Sequence, residues 1–329
     1  MAGKARRELL SRITRLAGAS REDVLVGPHP LLDAGVIEGR KGRYVWATDP
    51  ALGVPREHVG TLAFHFTASD VAVMGGKPEF LAVDILMPEG SPREEAVRIA
   101  LQIHEEAERY GASIVTGHTG WYSAVNEPVV VVTAVGRAER VLHPGDALPG
   151  DRIVLAGLVG GELLYSLAHF RPQLMRELLG ETAVTRWKMS HRELTALDAA
   201  LVLNQRGLAV IMKDGAEGGL VRALNDLADA AGLGFHVEED RIPVPPELLR
   251  LADELGFDPL SASSSGLLIA LVRPEWVREA VWYLNILGIP ASVIGAVSER
   301  RERWILGPEG RRPFPEEAED PYASLMRAG

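Results

Sequence analysis

One carboxylate stands alone in an apolar stretch. Between residues 59 and 76 the only formal charge is Asp70, set among valine, alanine, phenylalanine and methionine. A carboxylate in such a segment is costly unless a cation or several hydrogen-bond donors meet it. A metal ion, a lysine or a phosphate-bound cation would give that relief. Other polar residues stand just past apolar, strand-like runs: Asp49 after 44–48, His118 after 113–117 and Asp214 after 209–213. Ligands gather outside the carboxyl ends of strands in parallel sheets. Asp33, in the mixed run 31–37, can join this set. Carboxylates held in this way suit magnesium, which keeps waters and binds through one or two carboxylates plus phosphate oxygens. Taken singly, each strand-end residue fits better as a turn former or helix cap. Asp70 is the exception, because it lies too deep in its helix to cap it.

Residues 214–219 form a glycine-rich turn before a helical stretch and include Gly218 and Gly219. Free N–H groups there can hold a phosphate, or Asp214 can cap the helix. His118 reads as a metal ligand, a proton shuttle or an ordinary packed histidine. The serine-rich run 261–266 is either a polar turn or a ligand loop, and Lys4 is a terminal lysine. The sequence holds no Walker A pattern, no GxGxxG after a strand, no GxSxG and no HExxH. It has no cysteine, which excludes disulfides, thiolate nucleophiles and zinc–sulfur sites.

The elements that must position these groups alternate. Apolar spacing predicts helices over 6–16, 58–74 and 92–110 and strands over 44–48, 79–87, 112–116 and 129–135. A Pro- and Gly-rich stretch at 141–151 reads as a domain boundary. Beyond it come a strand at 152–156, helices at 162–169 and 192–206, a strand at 208–212 and a helix at 220–231. Strands near 235–237, 267–272, 292–297 and 303–306 and helices at 246–255 and 274–287 complete the pattern. This gives two α/β (α+β) domains, 1–140 and 150–307, and a loosely ordered tail, 308–329. With 329 residues, 47% hydrophobic and 24% charged, the chain is long and apolar enough for two cores. A net charge of −10 argues against a nucleic-acid surface. No run approaches the roughly 18 apolar residues of a membrane span. The charged first residues lack an apolar signal region, which fits a cytoplasmic protein.

In order along the chain, these pieces resemble the aminoimidazole ribonucleotide synthase-like superfamily. The resemblance rests on residues 32–37, on Thr48-Asp49-Pro50, on 69–78 around Asp70, on 213–220 and on 225–228. Asp258-Pro259-Leu260 is similar to the hydrogenase-maturation branch in particular. The resemblance implies a homodimer whose N-terminal strands build a shared β-barrel, and ATP with Mg2+ bound in a cleft without a P-loop. It implies phosphoryl transfer onto an amide- or carboxyl-type oxygen. By position, Asp33, Asp49 and Asp70 would hold magnesium and triphosphate, and Lys4 would reach phosphate. Thr119, Asp214, Gly218 and Gly219 would contact the nucleotide. Asp70 and His118 would be catalytic residues.

Departures from the pattern are specific. The maturation dehydratase works on a C-terminal cysteine, and this sequence has no cysteine at all. His118 and Ser265 stand where the superfamily and the maturation branch, respectively, have acidic residues. The expectation is an ATP- and magnesium-dependent enzyme acting on an unidentified small molecule or protein-borne group. The competing expectation is a nucleotide-binding regulatory or scaffold homodimer without turnover.

Overall fold

The computed structural model describes residues 7–317 and 319–327. The chain divides into two compact units, residues 11–141 and residues 7–10 with 142–327. Residues 7–10 therefore belong with the C-terminal unit rather than with the 1–140 domain expected from sequence.

The first helix is α1 (Arg7–Ile13). The N-terminal unit then runs β1 (Val24–Val26), β2 (Gly35–Gly39), β3 (Gly42–Ala51), α2 (Val59–Val73), β4 (Gly76–Pro88), α3 (Arg93–Tyr110), β5 (Ser113–Tyr122) and β6 (Val129–Ala138). Its sheet has the order β1-β2-β3-β6-β4-β5. Only β4 and β5 run parallel, joined by the crossover helix α3. The other pairs are antiparallel. Strict alternation along β3, β4 and β6 buries Val45, Ala47, Leu81, Val83, Ile85, Val130, Val132 and Ala134 on one face. Helix α2 packs on β3, β4 and β6, and on α3.

That double coverage explains the apolar run. All of α2 is buried except Phe66 and Asp70, which are partly exposed. Its end is set by Gly75, whose φ of 96° few side chains tolerate. A Cβ on Gly76 would sit 2.7 Å from Val71 Cγ1, so only glycine lets β4 start so close beneath the helix. Gly60 plays the same part between helices, where a Cβ would approach Ile99 O to 2.4 Å.

The C-terminal unit contains β7 (Arg152–Ala156), α4 (Gly161–Phe170), α5 (Pro172–Leu179), α6 (Glu181–Lys188), α7 (Leu197–Gln205), β8 (Ala209–Asp214), α8 (Gly219–Ala231), β9 (Gly234–Glu238), α9 (Pro246–Leu255), β10 (Leu268–Val272), α10 (Val277–Ile286), β11 (Ala291–Ser298), β12 (Arg303–Gly307), β13 (Gly310–Pro313) and α11 (Tyr322–Arg327). Its sheet order is β13-β12-β9-β11-β7-β10-β8. Only β12 and β9 pair in parallel. The central strands β7 and β10 are almost wholly buried, which is why they read as unbroken apolar runs. The tail is not loose. Phe314 is buried against Phe235 with ring centroids 5.0 Å apart, and Leu325 and Met326 of α11 pack on the core. Among the described residues no helix is long and apolar enough to cross a membrane.

Candidate functional site

Asp70 projects from the fourth turn of α2, partly exposed rather than sealed in the core. Asp33 lies in the bend before β2 and is also partly buried. A carboxylate oxygen of each lies within 4.8 Å of the other. Two oxygens bound to one magnesium at ~2.1 Å stand at most about 4.2 Å apart. A small side-chain adjustment therefore brings this pair to chelating distance. Two carboxylates so near repel by roughly 3 kcal/mol at an effective dielectric of ~20, and a divalent cation between them reverses the sign. An all-oxygen donor set is the kind that magnesium prefers. The residues present thus fit the ion.

Asp49 is not at a strand end. It lies inside β3, opposite Val132, because the strand continues through Pro50 to Ala51. The alternation that buries Val45, Ala47 and Ala51 places Asp49 on the face covered by α2, although outside the close Asp33–Asp70 pair.

His118 also departs from expectation. It sits within β5, with Asp84 opposite in register. Asp84 alternates away from the buried face of β4, so both residues stand on the uncovered side of the sheet. Within one copy the sheet lies between His118 and Asp70. His118 Nε2 lies 2.5 Å from the Tyr122 hydroxyl. Gly120 makes room for that contact, since a Cβ there would meet the same hydroxyl at 2.7 Å. Thr119, opposite Ile85, points to the other side from His118 and is exposed. Lys4 lies outside the described residues.

In the C-terminal unit Asp214 is the last residue of β8, paired with Leu268. The N-cap position of α8 is Gly218, which has no side chain to cap the helix. Gly218 and Gly219, at φ 83° and 56°, turn the chain into that helix. A Cβ on Gly219 would come within 2.4 Å of Ala262 O, so the turn is packed closely against the serine-rich run. The Gly218 N–H instead donates to Asp320 Oδ2 at 2.8 Å.

Beside this turn is a group that sequence reasoning missed. Glu162, in the first turn of α4, accepts from Ser265 Oγ at 2.7 Å and from Ser265 N at 3.2 Å. Burial, then the charges of Glu217 and Asp320, push its carboxyl up to about 7 against the pull of the Ser265 donors. Burial likewise pushes the Tyr322 hydroxyl up to about 12. Ser265 was singled out as a departure from an acidic residue, and it is the serine that holds Glu162. Asp320 had no local signal, because its partners lie 57 and 102 positions away in sequence.

The sequence matches the AIR synthase related protein N-terminal domain over residues 32–138 and the C-terminal domain of the same description over 149–305. It is 33% identical over 285 residues to carbamoyl dehydratase HypE of Azotobacter vinelandii, covering 83% of this chain and 80% of that protein. The crystal structure of Escherichia coli HypE superposes with a TM-score of 0.73 at 24% identity, over 96% of this chain and 99% of that one. A hydrogenase maturation protein HypE in complex with ATP superposes at 0.69 and 23% identity, over 89% and 92% of the two chains. At such identities the superpositions speak for the fold. With matches across both of its units and a relative of this identity, the chain belongs to the AIR synthase related protein family.

Proposed function

We propose that this protein is an ATP- and magnesium-dependent enzyme that phosphorylates an amide- or carboxyl-type oxygen on a small molecule or a partner protein. The observation that carries the reading is the Asp33–Asp70 pair, two carboxylates from separate elements within 4.8 Å. Asp33 and Asp70 would hold Mg2+, with Asp49 on the same face of the sheet. When bound, the ion offsets phosphate charge and favours in-line transfer. Asp214 and the N–H groups of Gly218 and Gly219 are the C-terminal unit's part of the proposal, as donors and charge beside phosphate. The solved relative with ATP supports the nucleotide.

The protein is proposed to act as a homodimer through the uncovered face of the N-terminal sheet. That face carries Trp46, 46% exposed, and Phe80, 44% exposed, between Thr48, Thr133 and Val135. A shared barrel of the two N-terminal sheets would bury it.

The test is Asp70→Asn, which keeps the shape and removes the charge. Titration calorimetry with ATP should show magnesium-dependent binding to the wild type and at least about tenfold weaker binding to the variant. Equal affinities would sink the assignment. A second reading, a nucleotide-binding homodimer without turnover, is favoured by His118 on the open face and by Ser265. Phosphate release from ATP in the presence of candidate amides or carboxylates would decide against it.

A further inference from the structure

Helix α9 ends in a charge arrangement that its own chain leaves uncompensated. Its last turn carries Asp253 and Glu254 and no basic residue. A helix C-terminus bears partial negative charge and favours cations, so two carboxylates there stand at the wrong end. Asp258 follows just beyond the cap Gly256, and all three acids are exposed. Among the described residues none of them forms an ion pair, although Arg250 lies one turn back on the same helix. Other exposed acids of this unit are paired, Glu181 with Arg176 and Glu193 with Arg186. Beside these carboxylates lies an open groove of about 510 Å3. Leu249, Ala252, Phe257 and Pro259 give it apolar walls, and Asp253 and Asp258 complete the lining. Leu249 is 50% exposed, although its neighbours Leu248 and Leu251 are buried. Backbone hydrogen bonds fix the shape. The N–H groups of Gly256 and Phe257 both donate to Ala252 O, at 2.9 and 3.2 Å, and turn Phe257 back onto the helix end. Asp258 Oδ1 accepts from the Leu260 N–H at 2.9 Å and holds the Pro259 wall.

We infer that this groove docks a partner protein through a segment that sets a lysine or arginine next to an apolar residue. The apolar side chain would cover Leu249 and Phe257, and burying such surface drives the contact. The cation would meet Asp253, Asp258 and the negative end of α9. One occupant thus answers both the exposed apolar walls and the unpaired acids. An acidic segment would be repelled, and an uncharged one would leave the carboxylates as they are. Because the walls are already in place, little ordering is needed on this side of the contact. The docking does not depend on the nucleotide reading, but its purpose rests on it. Pro259 leads into the serine-rich run, whose Ala262 O closes on Gly219 in the proposed phosphate-binding turn. A segment held in the groove therefore adjoins the loop beside that turn, which favours a protein-borne group over a small molecule as substrate.

The probe is a short fluorescent peptide of alternating lysine and leucine, with a glutamate–leucine peptide as its control. Fluorescence anisotropy with the full chain should show the lysine peptide binding and the glutamate peptide not binding. The double variant Asp253→Asn with Asp258→Asn should weaken binding roughly fivefold, as expected for two exposed charge contacts. Leu249→Lys should weaken it by about tenfold or more, because it adds like charge and removes an apolar wall. Asp258→Asn retains an acceptor for the Leu260 N–H, and the other two positions are exposed, so the fold is kept. Hydrogen exchange on the wild type, which needs no variant, should show added protection over residues 249–259 with the lysine peptide. No binding to the wild type, equal binding to the variants, or equal binding of the two peptides would overturn the proposal. Loss of the dimer in Leu249→Lys, read by sedimentation, would give the groove to a second copy and overturn it as well. The peptide assay contains no nucleotide, so the two readings fail separately. Loss of peptide binding leaves the nucleotide reading standing, and failure to bind Mg–ATP leaves the docking standing.

Discussion

Glu162 should make the stability of the C-terminal unit depend on pH in the range where most proteins are indifferent. The carboxyl moves from its ordinary 4.5 up to about 7, first because burial strips its water and next because Glu217 lies near. The folded state therefore holds the proton more tightly than the unfolded chain. Its contribution is complete below pH 4.5 and is lost as pH rises through 7. At ~1.4 kcal/mol per pH unit the loss amounts to about 3 kcal/mol, since the group is partly buried and screening is weak. Glu162→Gln stays neutral throughout and still offers an acceptor to Ser265. Urea unfolding of both proteins, followed by tryptophan fluorescence from pH 4.5 to 8, isolates the effect from all other titrating groups. The variant should gain stability relative to wild type as pH rises, by up to about 3 kcal/mol at pH 8. If the two profiles run parallel, the carboxyl titrates normally and the reasoning from burial is wrong.

Gly219→Ala should destabilise by roughly 2–4 kcal/mol, combining a left-handed backbone with a Cβ 2.4 Å from Ala262 O. Gly256→Ala, left-handed at φ 73° and ψ 49° with open space around it, should cost only about 1 kcal/mol in the same urea experiment; equal losses would show that the packing around Gly219 is irrelevant. Sedimentation velocity should find the wild type at twice the 35.6 kDa chain mass and Phe80→Lys at the single-chain mass. A wild-type monomer, or a dimer untouched by the lysine, would remove the open sheet face as the interface.

Several elements were legible because their ends are chemically marked. Helix α9 falls on the predicted 246–255, between Pro246 at its start and Gly256 at φ 73°. Helix α3 is likewise bounded by Pro92 and by Gly111 at φ 72°. The Asp33–Asp70 pairing followed from a lone charge in an apolar helix and from a family resemblance. What the lone charge misstated was depth: α2 is buried on nearly every side, yet Asp70 emerges at a partly open place. Helices α5 and α6 were missed because each is only 8 residues long and separated from the other by Gly180 alone. Strand β5 was cut at Gly117 because glycines there look like a loop. An exposed edge strand tolerates them, having a neighbour on one side only. That error moved His118 from a supposed loop onto the open sheet face. The tail misled for a different reason. Phe314, Tyr322, Leu325 and Met326 hold it to the core, and contacts so few and so unevenly spaced carry no periodicity.

The edge position of β5 has a consequence for handling and engineering the protein. Its ten residues include no lysine, arginine, aspartate, glutamate or proline, and Ile114 and Val115 are exposed. Natural sheets usually blunt such a border with charge, proline or a bulge, because a bare strand is a template for the next chain. Here only the early bulge against β4 serves that purpose. Separated copies would therefore present a sticky, slightly twisted ribbon, open to run-on assembly at high concentration. A lysine at Val115 is the economical safeguard for any version of this protein meant to stay single.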